Sequence, residues 1–307
     1  MSDTPQVTRT YQHHHLDSTR WRVFEPRAGD VVVTTSYKSG TTWAQEIVHR
    51  LVFKGDPGAP PTGAISPWVD ARFHGDLDEI ARGLRSLPHR RFLKSHLALD
   101  GLPWYPEVRY LVVGRDPRDV FMSLWNHYGN YTEQIMERLN TKDVWEGPLL
   151  EPRGDDPKAL WRAWMTRGWF EWESEGWPFW GNLHHTKSYW DWRHLENLLF
   201  VHYSDLLADP RGEIRRIAAF VDEPITDAEL DAAVEGTSFA SMKRAAKAFD
   251  ELMKQGFQGG SDAFFYKGTN GRWREVLDAE DLALYEETKK RVLPAECARW
   301  LERGSLG

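Results

Sequence analysis

The chain has 307 residues, 41% apolar and 28% charged, the composition of a globular protein with a substantial core. Its 39 Lys and Arg against 46 Asp and Glu give a formal charge of −7, so the surface as a whole does not attract nucleic acid and any anion site must be a local cationic pocket. The start MSDTPQVTRT is polar, without an apolar signal core, and no run approaches 18 apolar residues, so no membrane span is expected, while a single cysteine, Cys297, excludes an internal disulfide and fits a reducing cytoplasm.

Residues 1–29 read as a polar lead-in. They hold His13, His14 and His15. Three adjacent His raise the question of a metal, but consecutive side chains do not share one face of a helix or strand, so a solvated run is expected. Val31–Thr35 is entirely β-branched and predicts a buried strand. A helix follows, with Trp43, Ile47, Val48, Leu51 and Val52 on one face. Residues 55–67 are rich in Pro and Gly and predict a loop. Residues 91–94 predict a short strand ending in Ser95 and His96, and residues 110–113 a second one ending in Gly114 and Arg115. Asp116 then suits an N-cap and Pro117 the first position of a helix running to about His127.

Residues 141–192 carry nine of the 16 Trp. They suit an amphipathic layer with aromatic core contacts, an aromatic wall beside a substrate pocket, or both. The run LLFVH, Leu198–His202, predicts a further strand, followed by Tyr203. Strands alternating with helices indicate an α/β fold with a central, mostly parallel sheet flanked by helices. No linker divides the chain, so one domain over residues 1–307 is expected.

The stretch Ser36-Tyr37-Lys38-Ser39-Gly40-Thr41-Thr42 joins the first strand to its helix. The first N–H groups of a helix have no internal partner and, with the helix dipole, attract anions. Lys38 adds a cation, Ser39, Thr41 and Thr42 add hydroxyls, and Gly40 admits close approach of the backbone. The Walker A pattern places Lys after its second Gly; here Lys38 precedes Gly40, which argues against a nucleoside triphosphate kinase or ATPase. A Lys at an ordinary strand-to-helix turn gives the same local pattern, so the turn alone does not decide.

Three further stretches do. RFLKSHL (residues 91–97), GRDPRDVFMSLW (residues 114–125) and FFYKGTNGRW (residues 264–273) follow YKSGTTW in order. Together they resemble the soluble sulfotransferase family, which uses 3′-phosphoadenosine 5′-phosphosulfate (PAPS), over roughly residues 28–287. The resemblance implies a P-loop-NTPase-like sulfotransferase fold. It implies that Lys38, Ser39, Gly40, Thr41 and Thr42 hold the 5′-phosphosulfate and that Trp43 flanks the adenine. Arg115, Ser123, Lys267 and Gly268 would bind the 3′-phosphate, and Tyr203, Thr237, Phe239 and Phe264 would line the adenine pocket. Lys94 would approach the transferred group, and His96 would act as general base in an in-line transfer with lysines in place of a metal. The acceptor is expected to be a hydroxyl or amine of a small hydrophobic or aromatic molecule. His184 and His185 could face its pocket.

Two residues depart from the family pattern. Tyr266 stands where the family has Arg before Lys-Gly, with Arg272 available as a substitute, and Arg272 itself replaces a common acidic residue. The family's dimerisation motif is not recognisable in residues 274–278, so no oligomeric state is inferred. A nucleotide-binding module without catalysis should have lost Lys38, Lys94 or His96; all three are present.

Overall fold

The computed structural model describes residues 3–305. Its centre is a sheet of four strands: β1 (Val31–Thr35), β2 (Phe92–Ser95), β3 (Arg109–Gly114) and β4 (Leu198–His202). They lie in the order β2-β1-β3-β4 and every pairing is parallel. All five residues of β1 are buried, as a central parallel strand with both faces covered requires. The pleat divides the side chains. Val31, Val33, Phe92, Leu111, Val113 and Val201 point to one core cluster, and Val32, Leu93, Tyr110 and Val112 to the other.

Helix α1 (Thr41–Phe53) covers the first face with Ala44, Ile47, Val48 and Leu51. The second face is covered by α2 (Pro117–Tyr128), by the helix Pro157–Thr166 and by neighbouring segments. Asp116 caps α2, accepting from Arg118 N at 2.9 Å, with Pro117 at the first turn as expected. Helix α3 (Glu133–Asn140) follows after a short turn, capped by Thr132. Helix α4 (Asn182–Trp190) packs behind β1: Tyr189 Oη and His185 Nε2 lie 3.0 and 3.1 Å from Thr34 Oγ1. The strands expected at 31–35 and 198–202 have the limits observed, those expected at 91–94 and 110–113 differ by one residue at each end, and the loop at 55–67 holds a helical turn, Thr62–Ile65.

The expectation of a solvated histidine run is overturned. His13 and His14 have no exposure and His15 has 4%. A neutral imidazole is an aromatic ring with polar edges, and this structure uses both properties. The rings pack on Trp169, Phe170, Phe179 and Trp180 from the Trp-rich segment. His14 Nε2 donates to Pro178 O at 2.7 Å, His14 Nδ1 meets His15 Nδ1, and His15 Nε2 lies 3.3 Å from Tyr131 Oη. Burial holds all three well below the ordinary imidazole pKa, His14 at about 3. Among the described residues no group of three or more His, Cys, Asp and Glu is arranged to hold a metal, and no helix is long and apolar enough to cross a membrane. Tyr11, Leu16, Trp21 and Phe24 join the same core, so much of the polar lead-in is structural.

The Trp-rich segment serves both expected purposes unequally. Trp161 and Trp164 are fully buried core residues. Of its nine Trp, only Trp180 lines the large cavity described below.

Candidate active site

Parallel strands place all their carboxyl ends on one edge, and four ends meet here. Ser36–Thr42 follows β1, His96 follows β2, Arg115 follows β3 and Tyr203 follows β4. A cavity of about 770 Å³ opens along this edge, where ligands of α/β sheets bind. Of the sequence-predicted residues, Lys38, Gly40, Thr41, Thr42, Trp43, Lys94, His96, Arg115, Ser123, Tyr203, Thr237, Phe239, Phe264, Lys267 and Gly268 all line it. Ser39 does not. Its hydroxyl is fully buried against Ser36 Oγ at 2.8 Å, and Ser36 in turn accepts from Asn182 Nδ2 at 2.6 Å, so Ser39 braces the turn from behind.

The backbone of the turn takes left-handed values at Lys38 (φ 61°) and Gly40 (φ 109°). A side chain at Gly40 would meet the Tyr203 ring 3.0 Å from its Cβ, so this position is restricted by conformation and by space. Gly268 is similarly confined: its φ is 64° and a Cβ would lie 2.6 Å from Phe239.

Six Lys and Arg side chains line the cavity, and three of them, Lys38, Lys94 and Arg115, stand at the ends of β1, β2 and β3. Lys38 Nζ lies 3.1 Å from His127 Nδ1 and 5.0 Å from the centre of the Phe264 ring. Lys94 Nζ sits 4.1 Å over the Trp68 ring. Arg115 donates from Nη2 to Asn270 Oδ1 at 2.8 Å and from Nη1 to Lys38 O at 3.2 Å, and its guanidinium lies 4.1 Å over the Tyr203 ring. Among the described residues none of the three forms an ion pair, in contrast to the buried pair of Arg91 with Asp30. Burial, with Lys94 and Arg115 nearby, lowers Lys38 to about 7; burial lowers Lys94 to about 8 despite the opposing charge of Asp70.

His96 is half of a well-defined hydrogen-bond arrangement. Its Nδ1 lies 2.8 Å from Thr35 O. A carbonyl only accepts, so Nδ1 carries the proton and Nε2 keeps its lone pair. Nε2 has no partner among the described residues, and the ring lines the cavity between Trp68 and Trp180. Beneath it Asp70, with no exposure, accepts from His96 N, Trp68 Nε1 and Trp21 Nε1 at 3.2, 2.8 and 3.0 Å. Burial and then the Lys94 charge hold His96 well below the ordinary imidazole range.

Several cavity residues escaped sequence reasoning. His127, Tyr131, Gln134 and Arg138 line it from α2 and α3, and Trp68 and His74 from the preceding connection. His127 carried a usable signal: it lies four residues after Ser123 on the same predicted helix, hence on the same face. His184 and His185 do not face the cavity. His184 Nε2 pairs with Asp100 at 2.9 Å, and His185 is buried against β1. Tyr266 lines the cavity with 45% of its surface exposed, and Arg272 beside it lines the cavity with a buried Nε that has no hydrogen-bond partner. An orphaned guanidinium N–H beside Arg115 and Lys267 fits an anion, and so does the orphaned Nε1 of Trp43 at the same cavity.

The sulfotransferase domain family matches residues 28–294. A glycolipid sulfotransferase of Mycobacterium bovis (strain BCG / Pasteur 1173P2) is 31% identical over 100% of this chain and 98% of its own length. Human sulfotransferase 1C2 is 25% identical over 88% of this chain and 85% of its own. Among solved structures, a mouse sulfotransferase complexed with PAP has a TM-score of 0.66 at 20% identity, covering 92% of each chain. Retinol dehydratase in a complex with retinol and PAP has a TM-score of 0.68 at 22% identity, covering 91% of this chain and 87% of that one. The two structures share the fold of the present chain.

Proposed function

The chain belongs to the sulfotransferase family, and we propose that it moves a sulfuryl group from PAPS to a hydroxyl of an amphiphilic acceptor of glycolipid type. The observation that carries this reading is the set of cations without carboxylate partners around one cavity, facing a histidine with a free lone pair. Two separated groups of cations suit a nucleotide phosphorylated at both ends. Lys38 and the start of α1 would hold the 5′ end; Arg115, Lys267 and Arg272 would hold the 3′-phosphate, with Arg272 in the place left by Tyr266. Trp43, Tyr203, Thr237, Phe239 and Phe264 would enclose the base. The nucleotide supplies an activated sulfuryl group.

The residues of the chain supply the rest. His96 Nε2 accepts the proton of the acceptor hydroxyl as the new sulfur–oxygen bond forms, a contribution of about 10²–10⁴-fold. The bond from sulfur to the phosphate oxygen breaks, and its electron pair stays on that oxygen. Lys38, and the N–H groups at the start of α1, hold the resulting charge; a preorganised donor of this kind is worth about 3–4 kcal/mol. Lys94 lies beside both and neutralises the transferred group. The acceptor end of the cavity mixes apolar residues such as Ile135, Leu139 and Phe257 with Tyr131, Gln134 and Arg138, which suits a polar head on an apolar tail. The whole chain acts as one domain in this reading. Its lone Cys297, free and buried, fits a reducing compartment such as the cytoplasm.

The test is titration calorimetry of adenosine 3′,5′-bisphosphate beside 5′-AMP, then transfer of labelled sulfate from PAPS to octyl β-D-glucopyranoside. Strong preference for the bisphosphate and labelled product support the reading. Equal affinity for both nucleotides overturns the two-phosphate site.

A further inference from the structure

We propose that His127 forms an acceptor subsite, holding Lys38 through Nδ1 and donating Nε2–H to a second hydroxyl of a polyhydroxylated acceptor. The inference rests on the sulfotransfer reading above and adds to it a residue and a substrate feature.

Nδ1 of His127 is 3.1 Å from Lys38 Nζ. With the phosphosulfate bound, Lys38 is an ammonium, which has donors and no acceptor, so Nδ1 receives that hydrogen bond and the neutral ring carries its proton on Nε2. Burial, and then the charges of Lys38 and Lys94, keep the ring neutral. The ring lines the cavity, and Nε2 has no hydrogen-bond partner among the described residues. Its neighbours are the rings of Phe257, Tyr131 and Phe264, with centres 4.6, 5.3 and 5.8 Å away. The two Phe rings offer no acceptor oxygen, and the Tyr131 hydroxyl faces His15 Nε2. A donor in an apolar surround thus opens on the cavity with nothing in the protein to meet it.

His96 is its complement. There Nδ1 donates to Thr35 O, and Nε2 presents a lone pair. The two imidazoles of one cavity are fixed in opposite tautomers by their other nitrogens. One can take a proton from a hydroxyl; the other can give a hydrogen bond to an oxygen. An acceptor with one hydroxyl satisfies only one of them. A sugar with neighbouring hydroxyls satisfies both, and its reacting hydroxyl is then oriented by the second. Because His127 also holds Lys38, the acceptor's second hydroxyl and the cation at the phosphosulfate end share one ring.

The experiment compares octyl β-D-glucopyranoside with 1-octanol as acceptors for wild type, His127→Phe and His127→Asn, with bisphosphate affinity measured on each protein. His127→Phe is expected to lower kcat/KM for the glucoside by about ten- to a hundredfold relative to octanol, the size of one lost hydrogen bond in a desolvated site. His127→Asn, which keeps a donor, should recover most of that ratio. Purely structural damage would lower both acceptors together. Equal losses for the two acceptors in both variants overturn the subsite. A wild type that binds the bisphosphate and shows no preference for the glucoside overturns it too. A wild type that fails to bind the bisphosphate overturns the sulfotransfer reading and the subsite with it.

Discussion

Binding of adenosine 3′,5′-bisphosphate should take up protons. In the free protein Lys38 lies at about 7 and Lys94 at about 8, both lowered first by burial. At pH 8 these values leave Lys38 about 0.1 protonated and Lys94 about half protonated. A bound phosphate restores the missing partner charge and raises both lysines, so their charged forms fill. The deficit is about 0.9 proton at Lys38 and about 0.5 at Lys94, an uptake of about 1.4 at pH 8. At pH 6.5 the same sum is only about 0.3. The sign follows: affinity is highest below pH 7 and falls as pH rises through 7 and 8, by up to about 1.4 decades per pH unit at pH 8. The ligand's own phosphates, with a second pKa near ~6, are already dianionic at pH 8 and do not blur the result there, whereas at pH 6.5 about a quarter of each is monoanionic and its proton release offsets the lysine uptake. Calorimetry in two buffers of different ionisation enthalpy reads the uptake directly. Lys38→Met should reduce it to about 0.5 at pH 8, leaving the share of Lys94. An uptake below about 0.2 at pH 8 in the wild type would refute the reasoning, because it would mean that the lysines are fully charged in the empty site.

Three shorter expectations accompany it. His96→Asn should lower kcat by about 10²–10⁴-fold while bisphosphate affinity, by calorimetry, changes little; unfolding by circular dichroism would show a structural histidine instead. Arg115→Ala should weaken the bisphosphate by at least about tenfold and 5′-AMP much less, and equal losses would remove Arg115 from the 3′-phosphate. Trp164→Ala, at a fully buried ring whose Nε1 donates to the Tyr37 hydroxyl next to Lys38, should lower stability to urea by about 3–5 kcal/mol; a loss under about 1 kcal/mol would show that the ring is not part of the packing that fixes the turn.

The strands and their order of function were legible because they are local. A β-branched run, an N-cap with Pro after it and a Lys or Arg at or just past the ends of β1, β2 and β3 are written within a few residues. The same locality explains what was missed. His13, His14 and His15 look solvated in sequence because their packing partners, Trp169, Phe170 and Phe179, stand more than 150 residues away. The polar edges of His14 and His15 meet Pro178 and Tyr131, which no spacing connects to them. His185 fails in the opposite direction. It neighbours residues of the cavity wall in sequence, but α4 turns it toward Thr34 behind the sheet. Ser39 sits in the middle of an anion-binding turn and still points away from it, since the left-handed steps at Lys38 and Gly40 rotate alternate side chains to opposite sides.

The unpaired cations tie these findings to energetics. Elsewhere two buried arginines have carboxylate partners: Arg91 has Asp30, and Arg72 has Asp143 and three backbone carbonyls. At the cavity the described residues supply none. Lys38 is given an imidazole and a ring face, Lys94 a ring face, and Arg115 an amide, two backbone carbonyls and a ring face. Neutral partners of this kind orient a cation without cancelling it, so the positive field remains for the ligand. A carboxylate in their place would stabilise the empty protein and compete with a phosphate for the same donors. The chain as a whole carries −7, which makes the local field dependent on keeping carboxylates out of the cavity lining, where none stands among the described residues. Asp70 is the instructive exception. It lies beneath Lys94 and His96, but its oxygens are taken by two indole N–H groups and the His96 backbone, so it steadies the wall without closing the site to an anion.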